Sequence, residues 1–208
     1  MGNIMEISIG VVTLEGILVL PEHAKGVVLF AHGSGSSRLS PRNTYVASVM
    51  QEAGLGTLLF DLLTSQEDQV YENRFNIDLL AQRLTEVTRW ITAHAEMKGV
   101  SIGYFGSSTG AAAALQGASQ LGTSIGAVVS RGGRPDLAMQ YLKKVAAPTL
   151  LIVGELDTQV LQLNRQALAH LPSEKELAIV PGATHLFEEP GTLEHAANLA
   201  KDWFVRHL

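Results

Sequence analysis

Gly103-Tyr104-Phe105-Gly106-Ser107-Ser108-Thr109-Gly110-Ala111-Ala112-Ala113-Ala114-Leu115 is the stretch that decides the fold. It leads a short apolar strand into a small-residue helix through Gly106-Ser107-Ser108-Thr109-Gly110, which has the spacing G-x-S-x-G. A strand that reverses sharply into a helix forces its corner residue into a strained backbone conformation, and glycines two positions to either side remove Cβ atoms that would collide there. The corner residue is Ser108. Its hydroxyl is expected to stand exposed at the carboxyl edge of a sheet, while the helix starting at Thr109 aims backbone N–H groups at any oxyanion beside it. The pentapeptide alone is a weak signal, because Gly- and Ser-rich turns match it by chance. The strand before it and the alanine run after it give it weight.

Outward from this corner, β-rich runs alternate with helical patterns, the signature of a mostly parallel sheet with helices on both faces. Strands are expected at Gly26–His32, Gly56–Asp61, Val100–Phe105, Ile125–Ser130, Thr149–Val153 and Leu177–Val180, mostly continuous apolar runs as strands covered on both faces should be. Glu6–Val12 and Thr13–Pro21 precede them with no helix between and read as an antiparallel pair, giving eight strands in all. Helices are expected at about 42–53, 75–96, 109–120, 135–145, 159–170 and 191–207, the longest carrying Leu80, Leu84, Val87 and Ile91 on one stripe. Residues 62–74 read as a polar surface loop beside the site. No insertion is long enough for a lid, so residues 1–208 are expected to form a single α/β domain with an open site.

Composition narrows the chemistry. The absence of cysteine excludes disulfides, thiolate nucleophiles and thiolate metal sites, leaving serine, threonine, lysine and carboxylates as nucleophiles. A net charge of -5 with dispersed cations argues against nucleic acid as a partner. MGNIMEISIG has no basic leader region, and no run reaches the length of a membrane span, so a cytoplasmic protein with no membrane partner is expected. Oligomeric state is not legible.

A serine hydroxyl needs a base to take its proton and an acid to orient that base. Asp157 follows the strand Thr149–Val153 and His185 follows Leu177–Val180, so the chain order is Ser, Asp, His. Asp157 also fits the N-cap of the next helix, and Glu155 is a rival acid. The two N–H groups of an oxyanion hole are expected from Thr109 and from Ser34 in the turn Gly33-Ser34-Gly35-Ser36-Ser37. That turn lacks the lysine of a phosphate loop and the spacing of a dinucleotide fingerprint, so no cofactor is expected, nor a metal. His32, just before it, reads as a brace for the turn. Arg131 and Arg134 follow the strand Ile125–Ser130 and Arg38 and Arg42 follow the Gly33–Ser37 turn, so several of them are expected to face one crevice, where they suit a carboxylate-bearing substrate. Of equal standing is the reading in which they pair with Asp61, Glu155 or Asp136 and brace the loops.

Eight strands with the first two antiparallel, HGSGSS after the third, GSSTG after the fifth, GELD after the seventh and GATH after the eighth resemble an α/β-hydrolase. The lidless layout, SRGGRPD and GATHLFEEPG resemble its bacterial dienelactone-hydrolase-like branch more narrowly. The resemblance spans nearly the whole chain and its register favours Asp157 over Glu155. Dienelactone hydrolases proper carry a cysteine nucleophile, whereas position 108 is serine, so the resemblance implies esterase-type chemistry and not a particular lactone. The expected function is therefore a serine hydrolase of small esters, thioesters or lactones through a Ser108–His185–Asp157 triad. Its rivals are acyl transfer or perhydrolysis from the same acyl-enzyme, and a non-catalytic binding module that keeps the fold.

Overall fold

The computed structural model describes residues 3–208. Its elements run β1 (Asn3–Ile9), β2 (Val12–Val19), β3 (Gly26–Ala31), α1 (Pro41–Glu52), β4 (Gly56–Phe60), α2 (Ser65–Asp68) and α3 (Ile77–Thr92). They continue through β5 (Ser101–Ser107), α4 (Thr109–Leu121), β6 (Ile125–Arg131), β7 (Thr149–Gly154), α5 (Thr158–Leu168), β8 (Lys175–Val180) and α6 (Thr192–His207). The strands form one sheet in the order β1-β2-β4-β3-β5-β6-β7-β8. The pairs β1–β2 and β2–β4 are antiparallel and all others parallel. Chain direction across the sheet therefore reverses between β3 and β5. That is a topological switch point, where the loops at the carboxyl ends of the two strands part and leave a crevice.

Side chains of the central strands alternate between two apolar layers. Val27, Leu29 and Ala31 of β3 join Leu58 and Phe60 of β4 on the face covered by α3 and α4. Val28 and Phe30 join Leu59 and Phe105 on the face covered by α1 and α6. This period of two on a fully buried sheet explains why the strands read as unbroken apolar runs. Ala111, Ala112, Ala113 and Ala114 are wholly buried, and their small size lets α4 lie close against the strand it leaves.

Some boundaries differ from the sequence reading. The first hairpin turns at Gly10-Val11, with Ile9 opposite Val12, instead of after Val12. Gly10 takes φ +60, and Val11 is fully exposed although it looks like strand. The loop at 62–74 contains α2, closed by a capping box between Thr64 and Glu67, and a 3-10 turn at Tyr71–Phe75. The helix expected at 75–96 starts at Ile77, where Asn76 caps the Leu79 N–H, and ends at Thr92. At 135–145 the expected α-helix is a 3-10 segment, Pro135–Lys144, broken at Ala138, whose φ of -116 is not helical. No helix among the described residues is long and apolar enough to cross a membrane.

Candidate active site

Ser108 sits at φ 51, ψ -120, one of three non-glycine residues with positive φ among those described. The conformation costs of order 1–3 kcal/mol and persists because the surroundings fix it. A Cβ on Gly106 would lie 2.4 Å from Ala111 Cα, and one on Gly110 would lie 2.1 Å from the Ala31 carbonyl oxygen. Both glycines of G-x-S-x-G are therefore steric necessities at the place where α4 crosses β3 and β5. Gly33 closes the corner from the other side, its Cβ position 3.1 Å from Ser108 Cβ.

His185 follows β8 and its Nδ1 lies 2.6 Å from Asp157 Oδ2. Asp157 occupies the N-cap position of α5, yet its side chain makes no cap bond. The carboxylate meets the imidazole instead. Glu155, the rival acid, is exposed and accepts the Gly182 N–H at 2.9 Å, so it ties down the turn after β8. With Nδ1 held by Asp157, Nε2 is the ring nitrogen left to work. Gly132, at φ +53, backs the ring: a Cβ there would stand 3.5 Å from His185 Cε1. On Gly133 a Cβ would meet Ser130 Oγ at 1.9 Å and Ala111 Cβ at 2.6 Å, so the second glycine of SRGGRPD is required by packing against β6 and α4. Ser108 and His185 line one cavity without a hydrogen bond between them, a contact that commonly tightens only with substrate in place.

Thr109 opens α4, where its backbone N–H has no helical acceptor. The Ser34 N–H does not point freely at the cavity as expected: it donates to Thr109 Oγ1 at 2.9 Å. That bond holds the β3 loop against the start of α4. His32 pins the same loop from behind, its Nε2 accepting from the Leu62 N–H at 3.1 Å, which leaves Nδ1–H to donate to the Gly33 carbonyl at 3.0 Å. Burial lowers its pKa, so the neutral ring that this pattern requires is also the favoured one.

The cavity beside Ser108 has a volume of about 280 Å³. Its lining residues include Ser36, Ser40, Asn43, Ser107 and Leu186, and they present polar and apolar atoms in about equal measure. Of the four arginines that the sequence reading set at the crevice, the structure brings Arg131 and Arg42 to this wall. Arg38 is a correction: its guanidinium pairs with Asp61 and Glu15, and its backbone N–H donates to Asp61 at 2.7 Å. Arg134 is a second correction, held in a two-pronged pair with Asp136 at 2.8 Å for both bonds, which raises its pKa. Both brace loops. Arg42 lines the cavity from the first turn of α1 and reaches Glu188 at 3.0 Å.

Asn43 was missed in the sequence reading. It is buried in line with Val46, Ala47 and Met50 at helical spacing, and an amide on that apolar stripe was the available signal. Among the described residues no cluster of three or more His, Cys, Asp or Glu stands ready to hold a metal.

The sequence model of the dienelactone hydrolase family matches residues 14–207. A crystal structure of dienelactone hydrolase from Anabaena variabilis superposes with a TM-score of 0.97 at 52% identity, covering 100% of this chain and 98% of that one. Est1E from Butyrivibrio proteoclasticus shares the fold at 15% identity, with a TM-score of 0.83 over 98% of both chains. Two Mycobacterium tuberculosis proteins, from strains CDC 1551 and H37Rv, are 55% identical over 98% of this chain, and their provisional name is phosphoribosyl transferase. The chain spans 46% of the length of those two relatives. It belongs to the dienelactone hydrolase family, hydrolases built on the α/β-hydrolase fold.

Proposed function

We propose that the chain is a serine hydrolase of small esters, thioesters or lactones that works through an acyl-enzyme on Ser108. The observation that carries the reading is that His185, paired with Asp157 at 2.6 Å, lines the same cavity as the strained Ser108. Ser108 Oγ attacks the carbonyl carbon as His185 Nε2 takes its proton, and the carbonyl π pair moves onto oxygen to give a tetrahedral oxyanion. The Thr109 N–H donates to that oxyanion. The Ser34 N–H joins it by leaving Thr109 Oγ1, an exchange favoured because an oxyanion accepts more strongly than a neutral hydroxyl. Collapse expels the alkoxide or thiolate, which receives the proton from His185; water then attacks the acyl-enzyme with His185 again as base, and the second collapse breaks the Ser108 Oγ–acyl bond as His185 returns the proton to Oγ and the acid leaves. Asp157 fixes the ring and stabilises its cation throughout.

The name of the mycobacterial relatives does not redirect this reading. This chain spans 46% of the length of those relatives, and the reading is supported by its own match to the dienelactone hydrolase family over residues 14–207. The partner on this reading is a small molecule.

Treating the folded protein with a fluorophosphonate and locating the adduct by mass spectrometry tests the proposal. A rapid adduct on Ser108 that disappears in Ser108→Ala and slows strongly in His185→Ala is expected. No adduct on Ser108 in the folded protein overturns the mechanism and leaves a binding module.

A further inference from the structure

Asn164 lies wholly inside the protein on α5, and its Oδ1 is buried with no hydrogen-bond partner. Its Nδ2 is engaged twice. It donates at 2.8 Å to the Val160 carbonyl, one turn back on the same helix, and at 3.0 Å to the Gly133 carbonyl in the loop after β6. An amide buried with an unmet oxygen costs stability that an apolar side chain of similar size avoids. Helix α5 does not need the amide for its own sake, because the Val160 carbonyl lies four residues back, where a helical N–H reaches it. What Asn164 adds is the bond to Gly133.

That bond crosses a seam in the site. On one side is α5, with Asp157 at its start, seven positions or about two turns before Asn164. Asp157 holds His185. On the other side are residues 131–134, which grip the strained corner by its backbone. The Ser108 N–H donates to the Arg131 carbonyl at 3.3 Å, and the Arg134 N–H donates to the Ser108 carbonyl at 3.0 Å. Base and nucleophile thus belong to two groups of elements and face each other across the cavity. Their spacing is set by what fastens those groups together behind it.

The geometry points to Asn164 as a positioning residue: by fastening α5 to the Gly133 carbonyl, it sets the distance from His185 to Ser108 at the moment of proton transfer. This role rests on the hydrolase reading. A misplacement of about 1 Å between reacting groups costs on the order of 10²-fold in rate, so a slight slackening of the seam is measurable. Ligand affinity is not expected to follow, since Asn164 does not line the cavity. The competing account is structural: Asn164 serves only its own helix through the Val160 carbonyl.

The test follows fluorophosphonate labelling of Ser108, with the limiting rate (kinact) separated from probe affinity (KI), on variants shown by circular dichroism to be folded at the assay temperature. Asn164→Leu keeps the volume and removes both bonds. Asn164→Ser keeps a donor for the Val160 carbonyl, because helical serines bond four residues back, but is too short to reach Gly133. Thr57→Val removes a buried hydrogen bond from Gln51 near the amino end of β4 and controls for lost packing alone. Expected is a kinact lowered at least about 30-fold in both Asn164 variants, with KI within about 2-fold of wild type and a near-normal kinact in Thr57→Val. A near-normal kinact in Asn164→Ser confines the residue to its own helix and overturns the proposal. A loss carried by KI, or an equal loss in Thr57→Val, also overturns it. If Asn164→Leu does not fold, Asn164→Ser is read against Thr57→Val by the same criteria. Wild-type protein that forms no adduct on Ser108 overturns the hydrolase reading and this role with it; a wild-type adduct that forms equally fast in the Asn164 variants overturns this role alone.

Discussion

Arg131 and Arg134 lie three positions apart on one turn, and the structure treats them in opposite ways. Arg134 is partly exposed and gripped at both prongs by Asp136. Arg131 is buried between two aromatic rings, with hydrogen bonds to neutral partners and one nitrogen that has none. A guanidinium whose charge is answered within the chain holds a loop. One whose charge is unanswered and faces a cavity is set for something the chain does not contain. Residue type and position at the sheet edge do not separate these cases; the carboxylate within reach does.

The comparison matters only if the cavity is reactive, so the largest expected effects come from its other wall. Ser108→Ala should lower kcat for ester hydrolysis by at least about 10⁴-fold with the fold intact by circular dichroism. Asp157→Asn should keep the packing but lose the charge that stabilises the imidazolium, costing about 10³-fold or more in kcat with a smaller change in KM. An Asp157→Asn enzyme of near-normal activity would break the assignment of that residue.

Between Arg131 and Arg134 the contrast sharpens in selectivity. Arg131→Gln should cost about 30-fold in preference for an anionic ester, near 2 kcal/mol, whereas Arg134→Gln should leave that preference unchanged. Burial lowers the Arg131 pKa, yet a guanidinium keeps its proton across the assay range, so the ratio of kcat/KM for the anionic over the neutral ester should stay level between about pH 7 and pH 9. The facing charged groups are Arg42 on α1, whose charge works in the same direction, and His185, with Glu188 engaged by Arg42. The smallest effect is Arg134→Ala, which should destabilise by no more than about 1 kcal/mol, visible as a shift of a few degrees in Tm.

Much of this was legible in the residues. Gly106, Ser108 and Gly110, set between an apolar run and an alanine run, announced a strand-to-helix corner, and in the fold backbone atoms stand where the Cβ atoms of the two glycines would be. Asp157 and His185 were legible by chain order, but the choice between Asp157 as cap and Asp157 as acid was not, because both uses demand the same residue at the same position. The arginines were illegible for the same reason: Asp61 and Asp136 had to be placed in space before Arg38 and Arg134 could be removed from the site. The link from Ser34 N–H to Thr109 Oγ1 joins residues 75 positions apart, and nothing local encodes it. The 3-10 segment at Pro135–Lys144 carries an apolar spacing that an α-helix would share, and its break at Ala138 is settled by packing.

The account stands most directly on one reaction: intact-mass analysis of the wild-type protein quenched during turnover of 4-nitrophenyl monoglutarate, with the modified peptide mapped. A glutaryl group on Ser108, accumulating in the wild type and much reduced in Arg131→Gln, is the predicted result. Turnover with no acyl group on Ser108, or acylation that responds equally to Arg131→Gln and Arg134→Gln, would contradict it.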